Sequence, residues 1–452
     1  MTNLWFETAL LPNGWAPGVR LAIEDGVIAA IETGAAAQPG DGRGAIAVPG
    51  LGNIHSHGFQ RGMAGLTEYR GSGEDDFWSW RELMYRFLDR LTPEDVEAIT
   101  AQAYAEMLQG GFTRVGEFHY LHHDAAGRPY ARLGEMAARI AAAAAATGIG
   151  LTLLPVYYAQ GGFGGAAPAP GQRRFLNDPD RFARLMEESG EAIAALPDAR
   201  LGVAPHSLRA VTPEDLRTVA ALAGPGGLHI HAAEQTKEVD DCLAWSGKRP
   251  VQWLLDEVGL DDRWRLIHAT HVTPDETRRL AETGAVAGLC PITEANLGDG
   301  VFPARAYLAA EGAMAIGTDS NVLIDPAQEL RMLEYGQRLT RRARNVLAAP
   351  DRPSTGATLF GAALAGGAQA LGEPVTGLVV GASADIVSLD PEHPALVGRS
   401  DDALLDGWIF AGDSRCVECV WRRGERVVEQ GRHRDARAIG TAFAATVRRL
   451  VA

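Results

Sequence analysis

The sequence predicts an α/β protein: a (β/α)8 TIM-like barrel with a small β-sandwich domain built from both ends of the chain. Three observations predict it. Short apolar strands alternate with helices through the middle of the chain, three of those helices begin with the same capping signature, and both ends are instead rich in hairpins.

The N-terminal part, residues 1–47, reads as short strands and turns, with Pro12-Asn13-Gly14 and Asp25-Gly26 as hairpin signals. Residues 48–374 carry the barrel pattern. Thr92-Pro93-Glu94-Asp95, Thr212-Pro213-Glu214-Asp215 and Thr273-Pro274-Asp275-Glu276 each supply an N-cap hydroxyl, a proline at the first helical position and acids in the first turn. Apolar strands are predicted at 114–117, 151–156, 201–204, 228–232, 265–269, 285–289 and 314–318. Repeated strand-then-helix units imply a parallel sheet, and chemistry gathered at strand ends favours a closed barrel over an open one. No Gly-x-Gly-x-x-Gly follows the first strand, as a doubly wound nucleotide fold would require. The alanine run 141–146 predicts a close-packed outer helix, and the Gly/Pro-rich segment 161–171 a long loop over the barrel mouth. Residues 375–435 return to the texture of the N-terminal strands, and 436–452 predict a terminal helix.

With 452 residues, 46% hydrophobic and 22% charged, the chain has room for a barrel plus an accessory domain and the balance of a soluble protein. No apolar run reaches the roughly 20 residues needed to span a bilayer. The first residues lack the basic and apolar regions of a secretory signal, so a cytoplasmic location is expected. A net charge of −15 disfavours nucleic acid and anionic lipid as partners, so an anionic substrate must be captured by local cations. The four cysteines, Cys242, Cys290, Cys416 and Cys419, make no disulfide framework. Cys416 and Cys419 fall in an alternating stretch, where residues three apart face opposite ways, and read as structural.

The chemistry sits at predicted strand ends. His55 and His57, two apart after an apolar strand, face the same way and can share one ion. His229 and His231 repeat the pattern, with Glu234 three residues beyond. His268 and His271 form a third set, and Asp319-Ser320 a fourth. Any one of these alone fits a core histidine or a capping aspartate; four at the same rim argue for a site.

The order His-x-His, His, His, Asp, with a glutamate three after the third strand-end histidine, resembles the amidohydrolase superfamily over nearly the whole chain. The resemblance implies that His55, His57, His231 and Asp319 ligate a metal, and that Glu234, His268 and Asp319 act in catalysis. His229 and His271 would be structural. Two-metal members use a carboxylated lysine on the fourth strand; here both lysines, Lys237 and Lys248, follow His231, so one divalent ion is expected. Zinc suits three imidazoles, a carboxylate and water, although iron or another divalent ion tolerates the same set. The implied reaction is a hydrolytic deamination: Asp319 takes a proton from water and Glu234 delivers one to a C=N nitrogen.

A closer likeness lies in the run from Ile54 to Gly65, Trp78-Ser79-Trp80-Arg81, Val115 to Tyr120, Ala204 to Arg209 and Gly317 to Asn321. These are similar to formimidoylglutamate deiminases, which convert N-formimino-L-glutamate to N-formyl-L-glutamate and ammonia. A small dicarboxylate substrate wants two guanidinium forks, and Arg81 and Arg209 supply them. Gln60, Tyr120, His206 and Ser320 would complete a polar cage. The rival within enzymes is an aminohydrolase of a purine, pyrimidine or triazine ring; the rival outside is a catalytically dead assembly subunit, which should have lost ligands that this chain keeps. A homodimer is the state the resemblance implies.

Overall fold

The computed structural model describes residues 2–70, 76–349 and 351–452. The chain opens with an antiparallel meander, β1 (Thr2–Leu11), β2 (Gly14–Glu24) and β3 (Val27–Glu32), followed by β4 (Gly42–Pro49), which runs parallel to β1. Asp25 (φ 51°) and Gly26 (φ 84°) both lie in the left-handed region, as a two-residue hairpin turn between right-twisted strands requires.

A parallel sheet follows, of β5 (Leu51–Ser56), β6 (Phe112–His119), β7 (Gly150–Tyr157) and β8 (Arg200–Leu201), with β9 (Ala204–Pro205) also paired to β7. The strand expected at 201–204 is therefore interrupted. Both pieces keep one partner and one register, Leu201 opposite Leu153 and Ala204 opposite Val156, while Gly202 N bonds Leu153 O on one side and Val203 N bonds Gly227 O on the other. A second parallel sheet holds β10 (Leu228–Ala232), β11 (Trp264–His268), β12 (Val286–Leu289) and β13 (Ala313–Ile316) in sequence order. Every residue of β6, β7, β10, β11 and β12 is buried, as for parallel strands covered on both faces. Isolated parallel bridges pair Ser56 with Asp319 and Val203 with Leu228, at the two places where one sheet's edge meets the other's.

The three capped helices form as the sequence indicates, at Pro93–Gly110, Pro213–Ala220 and Pro274–Glu282. In each the threonine hydroxyl accepts from the backbone N–H three residues on, satisfying a donor the first turn leaves open. The alanine run lies in the helix Glu135–Thr147, and the chain ends in the helix Ala436–Val451.

Strands β14 (Ile386–Leu389), β15 (Val417–Arg422), β16 (Glu425–Glu429) and β17 (Arg432–His433) join the N-terminal four through β4 and β14. The result is one mixed, mostly antiparallel sheet from both ends, in the order β17-β16-β15-β14-β4-β1-β2-β3. Phe6 on β1 and Trp421 on β15 stand three strands apart, roughly 14 Å in a flat sheet, yet their ring centroids are 5.5 Å apart. The sheet therefore curls over a core of its own that includes Leu4, Phe6, Val19, Leu21, Ile386, Cys419 and Trp421. Cys416 packs into the main core and Cys419 into this smaller one, so the two thiols face apart. Arg422 on β15 pairs with Asp385 and Asp198, and Asp198 also pairs with Arg114 on β6, so a buried ionic chain fastens the terminal sheet to the parallel one.

Candidate active site

The C-terminal ends of β5, β10, β11 and β13 bring the sequence-predicted residues together. Ligand atoms of His55, His57, His231 and Asp319, all buried, lie within 4.8 Å of one another. Asp319 Oδ1 is 3.1 Å from His57 Nε2 and 3.4 Å from His55 Nε2, and His231 Nε2 is 3.1 Å from His55 Nε2.

Local structure sets this geometry. His57 Nδ1 donates to Phe118 O at 2.9 Å and His231 Nδ1 to His206 O at 3.0 Å, which leaves both Nε2 lone pairs facing inward. Thr318 N and Asp319 N both bond His55 O, drawing the end of β13 against β5. Only glycine fits at 317 for that approach, since a Cβ there would stand 2.8 Å from His55 O and 2.9 Å from His55 Cβ. His268 (φ 68°) and Asp319 (φ 44°) sit in the left-handed region, a strained backbone of the kind concentrated at functional sites.

The donor set fits a divalent metal. His231 Nε2 turns its lone pair to His55 Nε2 at 3.1 Å, close enough for both rings to reach one ion. Ligands about 2.0–2.1 Å from one zinc ion stand roughly 3.0–3.4 Å apart, the spacing found here. Burial pulls His55 down to about 4 and holds His231 well below the ordinary imidazole range, so both stay neutral and free to ligate. Burial works against ionisation of Asp319, but the polar contacts of His55 and His57 keep its carboxyl well below the usual range.

Around this group lies a cleft lined by sixteen residues that include His57, Gln60, Arg81, Tyr120, His206, Arg209, His231, Glu234 and Asp319. Glu234 Oε1 is 3.8 Å from His268 Nε2, and Asp319 Oδ2 is 3.7 Å from the same atom. Burial alone would lower His268, but Glu234, Glu294 and Asp319 raise it to about 10; a dication beside Asp319 would oppose that. Burial raises Glu234, against His268 and Arg209. Arg209 is partly buried, 3.7 Å from Glu234 Oε2 and 4.0 Å from Glu238 Oε2. The Arg81 guanidinium carbon stands 4.5 Å from the centre of the Trp78 ring and that of Arg209 5.9 Å from it. The Nε atoms of both arginines and Gln60 Oε1 are buried without a hydrogen-bond partner. Tyr120 accepts from Gln60 Nε2 at 3.0 Å, and His206 Nδ1 contacts Ser207 Oγ at 3.1 Å.

Ser320 is turned to Thr293 Oγ at 2.9 Å and does not line the cleft. His229 bonds Ala370 O, away from the metal group, and His271 is likewise outside it. Just beyond the segment 161–171 Gln172 Nε2 donates to Tyr158 OH at 2.6 Å, while Phe163 within it stacks on Trp245.

Sequence reasoning missed several wall residues. Phe77, Trp80, Met84 and Tyr85 line the cleft with Arg81 from one face of the helix Phe77–Leu88; their spacing of three, four, seven and eight was a readable stripe. Glu294, which accepts from His268 Nδ1 at 3.3 Å and from Cys290 N at 2.8 Å, stands in the first turn after β12. Glu117 holds Gly58 N, just past His57, and Tyr104 OH; burial raises it to about 7.

Comparison with known proteins agrees with this arrangement. Residues 46–427 match the model described as "Amidohydrolase family", and residues 1–45 that described as "Formimidoylglutamate deiminase HutF, N-terminal domain". The chain is 53% identical to a formimidoylglutamate deiminase of Pseudomonas aeruginosa, over 97% of this chain and 98% of that one. It is 30% identical to a 5-methylthioadenosine/S-adenosylhomocysteine deaminase of Natronomonas pharaonis, over 90% and 87%. A crystal structure of an amidohydrolase from Brucella melitensis superposes with a TM-score of 0.97 at 56% identity, covering all of both chains. With strand-end ligands, cleft and matched segments in agreement, the chain belongs to the amidohydrolase family.

Proposed function

We propose that this chain hydrolyses N-formimino-L-glutamate to N-formyl-L-glutamate and ammonia, with one divalent ion, zinc, held by His55, His57, His231 and Asp319. It is a hydrolase of C–N bonds and a formimidoylglutamate deiminase by its relatives. The observation that carries the substrate is the pair of guanidinium groups, Arg81 and Arg209, whose Nε atoms lack a hydrogen-bond partner, in the same cleft as the metal donors on a chain of net charge −15. Two partly buried forks with open donors suit two carboxylates, whereas a neutral ring base would leave those donors unpaired at a cost of about 1–3 kcal/mol each.

A bound dication would lower the pKa of water at its open position to about 7. Asp319 accepts the proton of the attacking water, and His268 hydrogen-bonds its oxygen. Glu234 passes a proton to the formimino nitrogen and then to the departing amine, so that water and C=NH become C=O and ammonia. Gln60, Tyr120 and His206 position the substrate's polar atoms, while Ser320 acts through Thr293, which bonds Thr318 O and so fixes the turn carrying Asp319.

In the same reading the two parallel sheets close into one (β/α)8 barrel over residues 48–374, with β8 and β9 as halves of one strand. The bridges Ser56–Asp319 and Val203–Leu228 support closure at both seams. Residues 1–47 and 375–435 form the accessory β-domain and 436–452 its helix. A cytoplasmic homodimer completes the proposal; four free, buried cysteines suit a reducing compartment. Among the described residues no helix is long and apolar enough to cross a membrane.

The test is ammonia release from N-formimino-L-glutamate beside guanine, cytosine and adenosine derivatives, with elemental analysis of the same sample. Turnover confined to a ring base would end the formimino assignment.

A further inference from the structure

The metal group leaves donors at its edge unused. Asp319 turns Oδ1 to His55 and His57, but its Oδ2 faces His268 Nε2 at 3.7 Å. His268 Nδ1 is committed to Glu294, so an ion that displaces the proton from Nε2 would meet a lone pair there, at an atom that is buried and has no hydrogen-bond partner. The third donor is Cys290, fully buried immediately after β12. Ligand atoms of His268, Cys290 and Asp319 lie within 4.8 Å of one another.

We propose that His268, Cys290 and Asp319 form a second, weaker site for a thiophilic dication, bridged by the Asp319 carboxylate to the first ion, and that filling it inhibits the enzyme. This rests on the reading of His55, His57, His231 and Asp319 as the first site. One carboxylate with its two oxygens facing two donor groups is the arrangement that holds paired metals about 3.5–4 Å apart. Nitrogen, sulfur and oxygen donors select zinc or cadmium over magnesium or manganese. The site is weaker because one ligand is shared and the thiol must lose its proton to coordinate. It inhibits because it takes His268 Nε2 and Asp319 Oδ2, the atoms assigned to the attacking water. No lysine precedes His231, so this position owes nothing to a carboxylated lysine.

The experiment titrates enzyme carrying one equivalent of zinc with Zn²⁺, Cd²⁺ and Mg²⁺, reading bound metal by equilibrium dialysis, thiolate-to-cadmium absorption in the ultraviolet, and ammonia release. Wild type should take a second equivalent of zinc or cadmium, gain the thiolate band with cadmium, and lose at least nine-tenths of its turnover, with magnesium inert. Cys290→Ser, with Cys290→Ala as a second variant and circular dichroism as the folding check, should keep the first equivalent and full turnover. Both variants should lose the band and become at least tenfold less sensitive to zinc. A single equivalent with no band in wild type, or zinc inhibition unchanged in folded Cys290 variants, overturns the proposal. A protein that binds no ion at all sinks the first-site reading, and this one with it.

Discussion

The Nε2 atoms of His55 and His231 face each other at 3.1 Å, although these residues are 176 positions apart in the chain. His231 Nδ1 donates to a carbonyl, so its Nε2 turns a lone pair toward His55, and an ion shared by the two rings would tie together strands far apart in the chain. Removing the ion with a chelator should therefore lower Tm as well as abolish turnover. Added zinc should restore both, since a ligand that binds only the folded state stabilises it by mass action. Calorimetry with and without chelator checks this; an unchanged Tm would mean the four residues hold no resident ion.

Glu234 approaches His268 at 3.8 Å and is not among the clustered ligands. Glu234→Gln should keep the metal and reduce kcat by about 10²–10⁴, the range of a lost general acid–base. Metal analysis beside steady-state kinetics separates the roles: loss of metal would make Glu234 a ligand.

Arg81→Met and Arg209→Met should each lower kcat/KM for the dicarboxylate substrate more than tenfold, about 1.4 kcal/mol or more, with metal content normal. Arg81 gives the cleaner result, because removing Arg209 also strips a cation from beside Glu234 and Glu238. Unchanged kinetics in Arg81→Met would remove that residue from the pocket.

Gly317→Ala should cost about 1–3 kcal/mol as an overpacked contact and weaken metal affinity. The added methyl pushes on the His55 backbone that Thr318 and Asp319 grip. Urea denaturation and metal competition measure the two effects.

The ionic chain at Asp198 carries a pH signature. Burial opposes ionisation, but Arg422 and Arg114 hold the Asp198 carboxyl below its ordinary value. A depressed folded-state value means the stabilisation is complete above the unfolded pKa of about 3.9 and lost as pH falls through the folded one. Asp198→Asn should thus destabilise by on the order of 3 kcal/mol at pH 7, with the difference from wild type shrinking only below about pH 4. A difference that instead grew on acidification would contradict the sign.

The ligands were legible because each sits at the end of an apolar strand in a local motif that survives without tertiary context. His55-x-His57, His231 with Glu234 three on, and Asp319 after Gly317 are all of this kind. The helix starts were legible for the same reason, since a threonine, a proline and an acid act within one turn. The cleft walls were harder. Tyr158, Phe175 and Glu238 carry no local mark, and only packing of distant segments sets them beside Arg81 and Arg209.

Strand β4 lies between β1 and β14, and Ile46 pairs with Leu389. During synthesis the first four strands must therefore wait, one hydrogen-bonding edge bare, until nearly the whole polypeptide has left the ribosome. Clipping either terminus would reopen that edge, and a barrel expressed by itself would begin life with the apolar faces of Val48 and Leu51 uncovered.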